Sequence, residues 1–198
     1  MIKILTVLVV AFFTGSTSVH ATSFAFASYS LEYPNDWTNK VQITPDGGTL
    51  QMFTGPEKNG AMPYCHVLEQ ILNPILSPSA ANFNDKQRID YFINADQQLL
   101  FLLYNNLASA QKFRLIFMGP NVIGKATPAF TSDFIFYVPQ GFFYRVRSHY
   151  TFWKSAQLSI WCQAVAAKEA NAEDSFLTNL SNFQRFVASV KINPNNLK

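Results

Sequence analysis

The strongest constraint on this chain is a run of alternating side chains joined by short turns in its second half. Phe113, Leu115 and Phe117 alternate with Lys112 and Arg114. Phe130, Phe134, Phe136 and Val138 alternate with Thr131, Asp133 and Tyr137. Residues 142–153 and 158–165 continue the pattern, punctuated by Pro139-Gln140-Gly141 and Lys154-Ser155-Ala156-Gln157. A period of two is that of a strand, with successive side chains on opposite faces. Turns this short join antiparallel neighbours, because parallel ones need a long crossover. The segment therefore predicts an antiparallel meander.

The first half adds to the sheet. Residues 28–33 read as a strand with Tyr29, Leu31 and Tyr33 on one side, followed by a turn at Pro34-Asn35-Asp36 and by Trp37. Val41 and Ile43 alternate with polar neighbours, Pro45-Asp46-Gly47-Gly48 turns the chain, and Leu50 and Met52 resume, which is a hairpin signature. Residues 54–63 read as a polar loop and residues 64–72 as a strand. From residue 84 to 110 the period lengthens: Ile89, Phe92, Ile93, Leu99, Leu100, Leu103 and Leu107 form the apolar stripe of an amphipathic helix. A second stripe, Phe176, Leu180, Phe183, Val187 and Val190, predicts a helix over 172–190, capped by Asn171 or Asp174. With no repeats or linker, residues 22–198 read as one α+β domain, an antiparallel sheet packed with helices.

Residues 1–21 read as a signal peptide. Met1-Ile2-Lys3 is a short basic head, residues 4–13 are apolar apart from Thr6, and Val19-His20-Ala21 sets an aliphatic and a small residue at the −3 and −1 positions of a cut. The run is far shorter than the ~20 residues of a membrane span. A second possible cut follows Ala27. No later segment reaches spanning length, so the mature chain is expected to carry no transmembrane segment and to act in the periplasm or outside the cell. Composition agrees with a packed domain: 15% aromatic and only 14% charged residues exclude a disordered chain. A net charge of +3 forces no basic surface, so nucleic acid is not an expected partner.

Cys65 and Cys162 are the only cysteines. An exported chain meets an oxidising compartment, where such a pair forms a disulfide. Cys162 shares its side of an alternating run with Leu158, Ile160 and Ala164, and Cys65 shares its side with Val67. The two meet if their strands are neighbours, closing a loop of about 98 residues worth ~4.7 kcal/mol in the chain-entropy model. The alternative is a pair of free thiols, or a nucleophilic Cys65 beside His66. Adjacent strand residues, however, point to opposite faces.

Two stretches resemble the PsbP-like superfamily. Tyr29-Ser30-Leu31-Glu32-Tyr33-Pro34-Asn35-Asp36-Trp37 is similar to the opening strand, Tyr-Pro turn and Trp of such domains. The strand 158–164 followed by a helix closing in Phe183-Gln184-Arg185-Phe186-Val187-Ala188-Ser189-Val190-Lys191 is similar to their ending. The resemblance implies an α/β/α sandwich around an antiparallel sheet. It also implies a protein that acts by binding partners rather than by catalysis, as photosystem accessory proteins and many bacterial envelope proteins do. No family site motif is present, and the cysteine pair and the 84–110 helix have no match in the pattern.

No set of residues reads as catalytic. His66 and His149 are the only histidines after residue 21, too few for a three-histidine zinc site, and neither metal nor cofactor is expected. Residues 119–125 space their glycines like a phosphate loop. Ala126, however, stands where a magnesium-binding hydroxyl belongs, and Pro120 lacks a backbone donor, so the segment reads as a turn. The leading binding candidate is the strand carrying Arg145, Arg147 and His149 on one face, able to grip an anion. The competing reading is a solvated sheet face, with Asp133 pairing an arginine across it. Phe142, Phe143 and Tyr144 precede it, and at least one of these rings faces away from the core. The aromatics either fill two core layers or mark a contact surface. The expected function is that of an exported, non-catalytic, monomeric binding or accessory protein using Phe142, Phe143, Tyr144, Arg145, Arg147 and His149 against an unknown protein or small ligand. A small hydrolase or lyase using His149 and Asp133, or a carrier of an apolar ligand between sheet and helix, are the alternatives.

Overall fold

The structure, a computed structural model, describes residues 21–26, 28–43, 48–71, 112–153 and 156–193. The expected signal peptide, apart from Ala21, and the expected 84–110 helix lie outside the described residues. The described residues form ten strands: β1 (Ala21–Ala25), β2 (Tyr29–Pro34), β3 (Thr38–Ile43), β4 (Thr49–Thr54), β5 (Ala61–Ile71), β6 (Lys112–Ile123), β7 (Thr127–Val138), β8 (Phe142–Trp153), β9 (Ala156–Ala166) and β10 (Lys191–Ile192). One helix, α1 (Glu169–Ser189), is described.

Seven strands form one sheet in the order β3-β4-β5-β9-β8-β7-β6, every pair antiparallel. The meander is as the alternation predicts, with longer strands. The segment spaced like a phosphate loop runs on as β6 to Ile123, and the turn proper is only Gly124 to Ala126. Gly124 holds φ at +63°, a conformation that favours glycine, and donates its N–H to Val187 O at 3.0 Å, tying the turn to the end of α1.

The long pairing of β5 with β9 joins the hairpin to the meander. It sets Cys65 directly opposite Cys162, and the two form a disulfide with their Cα atoms 4.0 Å apart. Leu158, Ile160, Cys162 and Ala164 share one face with Cys65 and Val67, all buried. α1 lies on this face, burying Ala172, Phe176, Phe183, Phe186 and Val187; of the expected stripe Leu180 is only partly buried and Val190 is the C-cap, while Ala172 and Phe186 are added. It begins three residues before the expected start. Its N-cap is Lys168 and carries no side-chain cap. Asn171, expected to cap, lies inside the helix and donates to Asn59 O at 3.1 Å.

Two features depart from the reading. First, β2 does not enter the main sheet. It pairs with β1 on one side and β10 on the other, and this small sheet packs Tyr29, Leu31 and Tyr33 into the same core. Alternation specifies which face a strand buries but not its neighbour. Second, Val41 and Ile43 are exposed, because β3 is an edge strand and α1 packs chiefly on β2, β5, β8 and β9. Trp37, by contrast, is buried, edge-on to Phe183 at 6.0 Å. Gly55 is required beneath it, since a Cβ there would lie 2.8 Å from the indole.

The disulfide yields the first prediction. Unreduced protein takes up no alkylating reagent under denaturing conditions, as read by intact mass. The Cys65→Ala/Cys162→Ala double variant loses about 2–5 kcal/mol of unfolding free energy in a urea titration.

Candidate functional site

Arg145, Arg147 and His149 share a face of β8, as the period of two requires, but that face lies beneath α1. Arg145 is 4% exposed and His149 5%, so the solvated face expected from the sequence is instead a covered one. The cover holds because the charges are matched. Asp133 stands opposite Arg147 in the β7–β8 register. One carboxylate oxygen accepts from Arg145, and the other accepts from Arg147 Nη2 at 2.7 Å. Arg145 Nε donates to Glu173 in the first turns of α1 at 2.8 Å, and its guanidinium lies 4.2 Å from the centre of the Phe176 ring. Two carboxylates thus hold two guanidiniums, and Arg145 is fully committed to the fold rather than to an anion.

His149 stands opposite Thr131, whose hydroxyl is 2.7 Å from Nδ1. Burial, helped by the Arg147 charge and opposed by Asp133, lowers its pKa to about 4, so the imidazole is neutral near pH 7. Each member of the expected His149–Asp133 pair therefore has a structural partner of its own. Arg147 and His149 do meet at a cleft of about 240 Å³ between the sheet and the end of α1, lined also by Asn121 and Gln184.

The aromatic run and the basic row do not form one surface. Phe143 turns toward α1 and packs on Ala61, Ala166 and Ala172. Phe142 is 44% exposed at the start of β8. Tyr144 lies on the opposite face, stacked on Phe136 with ring centres 4.7 Å apart and planes within 7°.

That opposite face holds the larger cavity. A pocket of about 340 Å³ is lined by Tyr64 and His66 of β5, Trp161 and Gln163 of β9, Tyr144, Val146 and Tyr150 of β8, and Phe134 and Phe136 of β7. The order β5-β9-β8-β7 brings these residues side by side, and strand alternation points them the same way. His66 lies 4.8 Å from Tyr64 and 6.4 Å from Trp161, ring centre to ring centre. Trp161 donates its indole N–H to Tyr150 Oη at 3.0 Å, and Gln163 hydrogen-bonds Tyr64. His66 Nε2 is different: it is buried and without a hydrogen-bond partner among the described residues. Such an atom costs about 1–3 kcal/mol when left unmet. Burial lowers the His66 pKa to about 4 and raises those of Tyr64 and Tyr150, so these three side chains are uncharged near pH 7.

Of these residues the sequence singles out Tyr144 and, among its surplus aromatics, Trp161; His66 is weighed there only beside Cys65, and Tyr64, Phe134 and Phe136 only as strand positions. The available signal was the even-numbered aromatic positions of three runs, which alternation sets on one face once the strand order is known.

The charge pairs and the buried histidines make three predictions. Asp133→Asn leaves two arginines without their shared carboxylate beneath α1 and costs about 3–5 kcal/mol in urea unfolding. Arg114→Ala breaks the exposed pair with Glu169 and costs under about 1 kcal/mol. On acidification the unfolded chain takes up protons at its histidines near pH ~6.5 while the folded chain resists until about pH 4. Stability supplied by the neutral imidazoles is therefore complete above that window and is lost as pH falls through it. Urea midpoints measured at pH 7.5, 5.5 and 4.5 are expected to fall in that order, less steeply in His149→Gln.

No protein-family model and no curated protein matches the sequence. Among solved structures, the fold is similar to that of cyanobacterial PsbP (CyanoP) from Synechocystis sp. PCC 6803, at a TM-score of 0.57 and 12% identity, covering 90% of this chain and 96% of that one. LpqN, involved in cell envelope biogenesis of Mycobacterium tuberculosis, also aligns, at a TM-score of 0.46 and 11% identity over 88% of this chain and 92% of its own. The likeness to CyanoP at this identity is one of fold: the chain has the PsbP-like fold.

Proposed function

We propose that this protein is an exported, non-catalytic binding protein that takes a small, largely apolar ligand on the aromatic face of its main sheet. The observation that carries the reading is the 340 Å³ pocket lined by Tyr64, Tyr144, Tyr150, Trp161, Phe134 and Phe136. Its volume falls within the roughly 300–1,000 Å³ of small-molecule sites, and its walls are apolar with few polar groups, as such sites are. The basic row, in contrast, is spent on Asp133 and Glu173.

The export part rests on the residue 1–21 signal and on the disulfide, which belongs to an oxidising compartment. Cleavage after Ala21 rather than Ala27 is favoured by β1, whose residues pair with β2 and whose Phe24 packs on the core. The second helical layer of an α/β/α sandwich is supported by burial. Ser132, Val146, Ser148 and Tyr150 point away from α1, yet none exceeds 4% exposure. No other described element packs on that face.

The test is native mass spectrometry of the protein purified without detergent, before and after adding a neutral apolar probe such as naphthalene. Wild type is expected to bind it with quenching of indole fluorescence, and Val146→Trp, which fills the pocket, is expected to lose at least tenfold in affinity while keeping its circular dichroism spectrum. Equal binding by the two proteins, or none by either, overturns the assignment.

A further inference from the structure

Resting on the pocket assigned above, we infer that its ligand is a neutral aromatic compound bearing a hydroxyl, which stacks among the pocket's rings and hydrogen-bonds His66 Nε2.

Three observations carry this. The first is shape and surface. Tyr144 already stacks flat on Phe136, and the Tyr64, His66 and Trp161 rings follow along the same face. Flat aromatic surfaces gain most from offset or edge contact with another ring, beyond the area they bury. An aliphatic chain fills the same space without that gain.

The second is charge. Asp133, Arg145 and Arg147 all lie on the other side of the sheet, beneath α1. Among the described residues, the titratable groups lining the pocket are Tyr64, His66, Tyr144 and Tyr150, and the directions given above leave His66 neutral and Tyr64 and Tyr150 protonated near pH 7. An ionised ligand would leave its water shell for a wall holding no counter-charge, which is strongly unfavourable. The ligand is neutral.

The third is the unmet atom. The Tyr150 hydroxyl accepts from Trp161, and the Tyr64 hydroxyl is engaged by Gln163. His66 Nε2 is the pocket atom left buried without a partner among the described residues. A neutral imidazole nitrogen is either a donor or an acceptor, according to tautomer. A hydroxyl satisfies both cases, because it donates and accepts; an ether or a tertiary amine satisfies only one. This is what selects a hydroxyl over other neutral polar groups.

The experiment titrates the full chain with 2-naphthol, naphthalene and 1-decanol at pH 7, following indole fluorescence and calorimetry, in wild type and in His66→Phe. The variant keeps a ring of similar size and removes the nitrogen. Wild type is expected to bind 2-naphthol about three- to tenfold more tightly than naphthalene, the worth of one hydrogen bond, and to bind 1-decanol more weakly than either. In His66→Phe the ratio of naphthol to naphthalene affinity is expected to fall to about one. A naphthol preference that survives in His66→Phe overturns the inference, as does equal binding of the two ring compounds by wild type or tighter binding of 1-decanol. In these cases the pocket itself still stands. Failure of all three probes to bind wild type removes the pocket reading and the inference together. Should His66→Phe not fold, His66→Leu read by the same naphthol-to-naphthalene ratio replaces it.

Discussion

The pairing of β5 with β9 is the interaction on which the rest depends. The two strands lie on opposite sides of a long stretch of chain, yet they run antiparallel from Ala61 opposite Ala166 to Ile71 opposite Ala156. Without that ladder the β3–β5 hairpin sheet and the β6–β9 meander are separate, each with a long unpaired edge of the kind that invites association. With it they become one surface broad enough for α1 and the small sheet to cover. The Cys65–Cys162 bond sits in the middle of this ladder and locks its register. A one-residue slip would turn every side chain on β5 to the wrong face. That includes Cys65 and Val67 on the α1 side and Tyr64 and His66 on the pocket side.

The same alternation divides the molecule chemically. On one side of β7–β9, charge is neutralised internally: Asp133, Arg145, Arg147 and Glu173 close on one another beneath α1. On the other, rings accumulate, and no Asp, Glu, Lys or Arg lines the pocket among the described residues. A buried charge cluster is tolerated only when its members satisfy one another, and removing one member is costly. The basic side is thereby occupied by the demands of the fold.

Much of this was legible in the residues. The alternation of 113–165 identified the meander, the stripe from Phe176 to Val190 identified α1, and Tyr29, Leu31, Tyr33 and Trp37 were read as structural. The cysteine pair was read as a bridge. Strand neighbours were not legible, because period-two patterning assigns faces and is silent on order. Hence β2 was not foreseen as the centre of a separate sheet. Nor did the pattern separate a solvated polar face from a covered one. Thr131, Asp133, Arg145, Arg147 and His149 alternate as an exposed row would, and only the arrival of Glu173 and Phe176 from α1 turns that row inward. The pocket escaped for a third reason. Its lining comes from four strands distributed from Tyr64 to Gln163, and no local window of sequence contains it.

The small sheet has a consequence for how the chain closes. β2 begins at Tyr29, but its second partner is β10 at Lys191 and Ile192, and Ser189 also reaches the backbone of Glu32. A polypeptide made from its N-terminus presents β2 long before its latch exists. Until residue 192 has emerged, one edge of β2 stays open and the core residues Tyr29, Leu31 and Tyr33 lack the helix they pack against. Completion of this core therefore waits for the residues of α1 and β10, so the first strand to bury its face is among the last to have its edge closed.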